Sequence, residues 1–104
     1  TAYSMSAGGP IIDTTFDAIV MTPVCPHSLI SRSIVFSADK IIRVGSSFNG
    51  DEEKVDVIVD GEKMFCIKKG DRVTAKVSDK YIKFINISGR GFYEVLNQKI
   101  IGRI

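Results

Sequence analysis

The segment KVDVIVDGEKMFCIKKGDRVTAKV, residues 54–77, decides the fold class of this chain. Apolar and polar residues alternate along it in short runs, as in strands with one buried side and one solvent-facing side. Asp60-Gly61 is a two-residue hairpin signal, because both central residues of a type I′ turn need positive φ. Further turns are expected at residues 69–71 and 78–80. The segment therefore predicts an antiparallel meander that continues into a last strand over residues 81–87.

Shorter elements precede this segment. Three apolar runs are too short for helices and are interpreted as strands, at residues 18–21, 33–36 and 40–44. Residues 1–7 contain no helix breaker and are followed by Gly8-Gly9-Pro10, which is typical of the end of a helix. A short helix that ends at Gly8 is predicted.

A second helix is predicted at the other end of the chain. Phe92, Leu96 and Ile100, with Val95 on the same side, form one apolar face of a helix that begins near Gly91. About seven strands between two short helices indicate a mainly β domain. The fold class predicted is an antiparallel, two-sheet, β-sandwich-like domain with a short N-terminal helix and a C-terminal helix.

Composition excludes several classes of protein. The 104 residues are 44% hydrophobic and 25% charged, as in a globular domain, so disorder is not expected. There is no run of about 18 apolar residues, so we expect no membrane partner. A net charge of +2 is too small to indicate a nucleic acid. Residues 1–104 are expected to form one domain, and two cysteines indicate a reducing, cytoplasmic location.

Few residues point to catalysis. With one His and two Cys, the pair Cys25 and His27 is too small a set for a zinc site, so no metal site is predicted. His27 and Ser28 are adjacent, and adjacent residues rarely adopt the geometry of a nucleophile and its base. The glycine-rich stretch 6–10 follows a helix instead of opening one, so it does not predict a phosphate loop. These residues alone favour a non-catalytic binding or assembly module.

Two segments carry the remaining candidates. Tyr3 and Ser6 share one face of the first helix, where a ring and a hydroxyl suit a nucleobase. The alternative is that Tyr3 anchors the helix to the sheet. Pro23 and Pro26 stiffen the second segment, are expected to make Cys25 extended, and present it together with His27. The alternatives there are a surface His and a small buried Cys.

Taken together, the sequence resembles the NAD kinases. TAYSMSAGGPI, residues 1–11, is similar to the family's TAYxLSAGGPI stretch, and MTPVCPHSL, residues 21–29, to its LTPICPHSL stretch. The ending FYEVLNQKI, residues 92–100, is similar to a closing helix of the form FxxVLxxKL. The resemblance covers nearly the whole chain, although residues 49–87 match only in pattern.

The resemblance implies the C-terminal, substrate-binding part of an NAD kinase. Such enzymes transfer a phosphoryl group from ATP, or in some members polyphosphate, to the 2′-hydroxyl of the adenosine ribose of NAD, which gives NADP. The expected cofactor is a divalent cation, Mg²⁺. The expected partners are the N-terminal α/β domain of the same chain and, because the family is commonly oligomeric, further copies of the enzyme. The acidic group belongs to a GGDGT motif that this sequence lacks, so no catalytic residue is assigned.

The resemblance also implies the residues that contact NAD. Thr1, Ala2, Tyr3 and Ser6 are expected to line the adenine and ribose region, and Cys25 and His27 to border the dinucleotide. Residues 31–33, Ser-Arg-Ser, stand where the family often has an Arg-Pro pair, which leaves the shape of that turn open. The chain begins with Thr and not Met, and we expect it to be a piece of a longer protein. A β domain of a related lipid kinase is a further alternative, but the TAY stretch argues against it.

Overall fold

The computed structural model describes residues 2–29, 31–46 and 54–100. Two helices and six strands occur in these residues, in the order α1 (Ala2–Ser6), β1 (Ala18–Met21), β2 (Ile34–Ser37), β3 (Ile42–Gly45), β4 (Lys54–Val59), β5 (Glu62–Lys68), β6 (Arg72–Ala75) and α2 (Phe92–Lys99). They fall into two compact units. The first unit contains α1, β1, β2 and α2, and the second, residues 39–77, contains β3 to β6.

In the first unit, β1 and β2 form an antiparallel ladder from Ala18↔Ser37 to Met21↔Ile34. All four residues of β1 are half-buried and apolar, as expected for a strand that packs on one side. The strand ends at Met21 because Pro23 follows within two residues and cannot donate a ladder hydrogen bond.

Helix α2 packs its apolar face within the same unit. It begins after Gly91, with Glu94 in its first turn and Lys99 in its last, so both charges complement the helix dipole. Phe92 and Leu96 line a cavity of about 430 Å³ together with residues of α1 and β1. The predicted face of this helix is therefore the one turned towards α1 and β1.

In the second unit, β4 and β5 form the hairpin that the sequence predicts. The pair Val59↔Glu62 leaves two residues in the loop. Asp60 and Gly61 have φ of 50° and 82°, the positive values that a type I′ turn requires. Ile67 of β5, 8% exposed, is the sole buried residue in the part of the chain described.

The turn between β5 and β6 is stabilised by a residue that follows β3. Gly70 has φ of 89°, and the Lys68 N–H donates to the Asp71 carboxylate at 2.8 Å. The Ser46 hydroxyl, just past β3, donates to the Lys68 carbonyl oxygen at 2.7 Å. The turn therefore places β6 beside β3. The two strands pair from Ile42↔Ala75 to Gly45↔Arg72.

The predicted fold class, mainly β, antiparallel and sandwich-like with a helix at each end, is confirmed. The strand pairing differs from the predicted meander, because the strands form three two-stranded ladders and β6 pairs with β3 instead of β5. Residues 81–87 are not a strand. Their side chains stay exposed, Tyr81 at 78% and Phe84 at 92%, and β-forming residues need a neighbouring strand to be stabilised. No helix of the described residues is long and apolar enough to span a membrane.

We expect Gly61→Ala to destabilise the β4–β5 hairpin, because an alanine in the left-handed region costs about 1–2 kcal/mol. The matched control is Gly45→Ala in β3, where a Cβ would lie at an ordinary 3.9 Å from Arg72 Cγ. Thermal unfolding of the intact protein, followed by circular dichroism, should show a lower midpoint for Gly61→Ala alone. Equal losses from the two substitutions would contradict this account of the turn.

Candidate functional site

Helix α1 presents its aromatic ring to solvent. Tyr3 is 92% exposed, so its ring does not anchor the helix to the sheet, which was the alternative interpretation. Ser6 is also exposed, three residues further along the same helix. The ring and the hydroxyl are thus both accessible to a ligand. Thr1 lies outside the described residues, and Ala2 is placed only as the first residue of α1.

The opposite side of α1 is held by polar contacts. The half-buried Ser4 hydroxyl lies 3.2 Å from Thr22 Oγ1, and the Ser33 hydroxyl donates to the same oxygen at 3.1 Å. After the helix, Gly8 adopts φ of 89° and the Gly9 N–H donates to the Ser4 carbonyl oxygen at 2.7 Å. The chain therefore folds back against the helix directly after its end, as the Gly-Gly-Pro sequence predicts.

The proline-rich segment turns at Cys25. Its φ of 49° is left-handed, so the extended conformation predicted for this residue is wrong. Pro23 and Pro26 each hold φ near −65°, which leaves the residues between them to make the bend at positions 24 and 25. Cys25 and His27 are both exposed, which also excludes the alternative of a buried cysteine.

A cavity of about 560 Å³ lies where the two motifs meet. Its walls come from the end of the α1 motif, from both prolines and from the residues before and in β2, namely Ala7, Gly8, Pro10, Pro23, Pro26, Ser31, Arg32, Ser33 and Val35. None of the six predicted contact residues is among these walls. Ser6 directly precedes the wall residue Ala7, and Cys25 and His27 flank the wall residue Pro26. Two more of the six, Ala2 and Tyr3, lie on α1 with Ser6.

Arg32 is the charged residue in these walls, and the sequence interpretation did not single it out as a site residue. A guanidinium in a cavity can bind phosphate oxygens in a bidentate manner. The one signal in the sequence that could have found Arg32 is its position in the Ser31-Arg32-Ser33 segment, which differs from the pattern of the resembled family.

A second cluster ties α2 to the loop that follows α1. The Asp13 carboxylate accepts hydrogen bonds from the Tyr93 hydroxyl at 2.6 Å and from the Thr15 N–H at 2.9 Å. The Tyr93 hydrogen bond, followed by those from Thr15, lowers the pKa of Asp13. The hydrogen bond to Asp13 in turn raises the pKa of Tyr93. The cluster borders a cavity of about 630 Å³ that also contains Phe16 and Phe36, and it acts as a tie between residues 80 positions apart.

A third cluster lies on the β4–β5 hairpin. The Asp56 carboxylate accepts from the Cys66 thiol at 2.9 Å and pairs with Lys63 Nζ at 3.3 Å. These contacts, the thiol first, lower the pKa of Asp56, and the same carboxylate raises the pKa of Lys63. Both charged side chains are more than half exposed, so the pair adds little to stability. Within the described ranges, no three His, Cys, Asp or Glu side chains are grouped as metal ligands.

Replacing Tyr93 by Phe should raise the pKa of Asp13, because the largest cause of its depression is removed. With the native tyrosine, the low pKa stabilises the fold above about pH 4, and this contribution is lost as the pH falls through the folded-state pKa. Tyr81→Phe is the matched control, since it leaves the Asp13 hydrogen bonds in place. Carboxyl NMR titrations measure both variants, and an unchanged Asp13 midpoint in Tyr93→Phe would show that the bond does not form.

Comparisons with known proteins identify the relatives of this chain. Residues 1–87 match the family model described as the ATP-NAD kinase C-terminal domain. The chain is similar to the NAD kinase of Caldicellulosiruptor saccharolyticus, with 42% identity over 96% of this chain and 37% of the relative. It is also similar to the NAD kinase of Acetivibrio thermocellus, with 39% identity over 99% of this chain and 35% of the relative. With the NAD kinase of Natranaerobius thermophilus it shares 36% identity over 98% of this chain and 35% of the relative.

The match covers only part of each relative. The chain spans 35–37% of the length of the curated relatives named above, and the part matched is their C-terminal part. No solved structure matches the chain.

Proposed function

Because the chain belongs to the NAD kinase family, we propose that it forms the NAD-binding wall of an enzyme that phosphorylates NAD. The reaction transfers a phosphoryl group from ATP, or from polyphosphate, to the 2′-hydroxyl of the adenosine ribose. The product is NADP. The family match disfavours a lipid kinase domain and a non-catalytic assembly module.

The exposed ring of Tyr3 is the observation that carries this proposal. It is 92% exposed on a helix whose next residue, Ser4, lies within hydrogen-bond distance of Thr22. A ring held in this way offers its face to adenine, and the nearby Ser6 hydroxyl offers a donor and an acceptor to the ribose or the base edge. Thr1 and Ala2, which precede the ring, are proposed to complete this wall.

The cavity beside the prolines is proposed to accept the rest of the dinucleotide. Pro23 and Pro26 give it rigid walls, and the exposed Cys25 and His27 are the sequence neighbours of Pro26. Arg32 supplies a charge-assisted donor for a phosphate oxygen of NAD. A rigid, partly apolar cleft with one cation suits a ligand that combines a flat ring with anionic phosphates.

The reacting groups are proposed to lie on the N-terminal α/β domain of the intact protein. Phosphoryl transfer depends mainly on positioning, on a cation such as Mg²⁺ that neutralises charge, and on an acidic group that orients the attacking hydroxyl. The described residues offer no group of three suitable ligands, so the cation is assigned no ligand in this chain. The role left to the chain is to bind and orient NAD.

Apolar surface supports the proposed partners. Leu29 and Phe84 are 103% and 92% exposed, and large apolar side chains in that state mark interaction surfaces when they cluster. We propose that the α/β domain and further copies of the enzyme cover such residues. Two free, exposed cysteines suit a reducing compartment, and the cytoplasm is the proposed location.

In the intact enzyme, Tyr3→Ala should raise the KM for NAD by at least about fivefold, because base–aromatic stacking contributes roughly 1–3 kcal/mol. The KM for ATP should stay within about twofold. Tyr81→Ala, at another highly exposed tyrosine, is the matched control. Steady-state kinetics with each substrate varied in turn give the answer, and an unchanged KM for NAD would remove Tyr3 from the site.

The isolated 104-residue chain is expected not to phosphorylate NAD, because the acidic group and the cation site are assigned to another domain. The measurement is NADP formation by the purified chain with ATP and Mg²⁺, run beside the intact enzyme as the positive control. NADP formation by the isolated chain would place the catalytic base among these residues and overturn the division of roles.

A further inference from the structure

We propose that Ser4, Thr22 and Ser33 form a hydroxyl chain that positions helix α1 for NAD, with Thr22 as its centre. The inference rests on the proposed function, because the ligand that benefits is NAD. It assigns these three residues as positioning residues, which act on the ligand through Tyr3 and Ser6.

The hydroxyl chain joins three elements at one oxygen. Ser4 belongs to α1, Thr22 directly follows β1, and Ser33 directly precedes β2. Thr22 Oγ1 lies 3.2 Å from the Ser4 hydroxyl and accepts the Ser33 hydroxyl at 3.1 Å. A hydroxyl has one donor and two acceptor sites, so Thr22 can satisfy both partners at once.

Thr22 and Ser33 lie one residue beyond the last pair of the β1–β2 ladder. The last ladder pair is Met21↔Ile34, so the next residues outward face each other across the two strands. A Thr–Ser hydrogen bond across strands stabilises such a pair. The centre of the hydroxyl chain is therefore anchored to the sheet and does not depend on the helix.

Gly9 brings α1 close to this anchor. A Cβ at position 9 would overlap the Ser4 hydroxyl oxygen and would lie 2.6 Å from the Ser4 carbonyl oxygen and 2.8 Å from Thr22 Oγ1. Such distances are not compatible with a side chain. The helix, the chain that follows it and the end of β1 thus meet at a spacing that only glycine permits.

The position of α1 depends on this anchor because the helix is short. Five residues are too few for a helix that is stable alone in water. Ser4 points to the sheet, whereas the adjacent Tyr3 stays 92% exposed. Holding Ser4 in one place therefore limits the directions in which the ring can point.

Ser33 connects the hydroxyl chain to the wall of the cavity. Ser33 and its neighbour Arg32 both line this cavity, and the Ser33 hydroxyl donates to Thr22 at 3.1 Å. The Ser33–Thr22 bond therefore holds the start of β2 at the residue next to Arg32, the candidate phosphate-binding residue.

The test uses the intact enzyme and compares matched substitutions. Thr22→Val removes the hydroxyl and keeps the side-chain shape, and Thr22→Ser keeps the hydroxyl. Ser33→Ala is compared with Ser78→Ala. The Ser78 hydroxyl also makes one hydrogen bond, accepted from the Lys80 N–H at 3.1 Å, but it lies outside both the cavity and the hydroxyl chain. For Ser33→Ala we expect a rise of about two- to tenfold in the KM for NAD, the range of one lost hydrogen bond. For Thr22→Val, which loses the contacts to both Ser4 and Ser33, the rise should be at least as large.

Further readouts separate positioning from simple stability. The KM for ATP should change by less than about twofold, while Thr22→Ser and Ser78→Ala keep the native KM for NAD. The double variant Thr22→Val with Ser33→Ala should have the same KM for NAD as Thr22→Val alone, because Thr22→Val already removes the bond that Ser33→Ala removes. A purely structural role would lower the unfolding temperature and the active fraction but leave the KM for NAD unchanged, and that result overturns the inference.

The outcomes also separate this inference from the proposed function. If the intact wild-type enzyme does not phosphorylate NAD, both fall. If it does, and Ser33→Ala has the same KM for NAD as Ser78→Ala, only the hydroxyl chain is overturned. Should Thr22→Val fail to fold, the comparison of Ser33→Ala with Ser78→Ala decides the question, because each variant removes a single hydroxyl oxygen and one hydrogen bond.

Discussion

The close approach of Gly9 to Ser4 and Thr22 is the constraint on which the site geometry depends. The Gly9 N–H bonds to the Ser4 carbonyl oxygen at 2.7 Å, and a Cβ at this position would lie 2.8 Å from Thr22 Oγ1. A helix of five residues has little stability of its own. The absence of one side chain therefore decides whether the helix can reach the end of β1 and be bonded there.

This constraint leaves the candidate binding groups exposed to solvent. Because Ser4 holds α1 to Thr22, the ring of Tyr3 is free to contact a ligand, whereas an aromatic ring of this size would ordinarily pack inward. The second unit is also largely exposed, and its Ile67 is the sole buried residue of the described part of the chain. The described residues thus supply surfaces for contact more than they supply an interior, which suits a domain that works against a neighbour.

Much of the local structure was predictable, because it depends on residues a few positions apart. The hairpin at Asp60-Gly61 and the stop after α1 follow from turn and capping chemistry, and α2 follows from the spacing of its apolar residues. The predicted strand over residues 81–87 failed, since its alternating pattern carries no information about whether a partner strand lies beside it. The left-handed Cys25 was also missed, because the rule for a residue before a proline disfavours the right-handed helical region and does not predict a bend between two prolines.

The sequence by itself determined the family, the fold class and the two motifs that face NAD in the proposal, since these are written in contiguous residues. Only the tertiary structure decided that β6 pairs with β3, that Tyr93 bonds Asp13, and that three hydroxyls meet at Thr22. These contacts join residues between 11 and 80 positions apart. Their formation depends on how loops close and strands pair, and no short-range pattern of residue types encodes those distances.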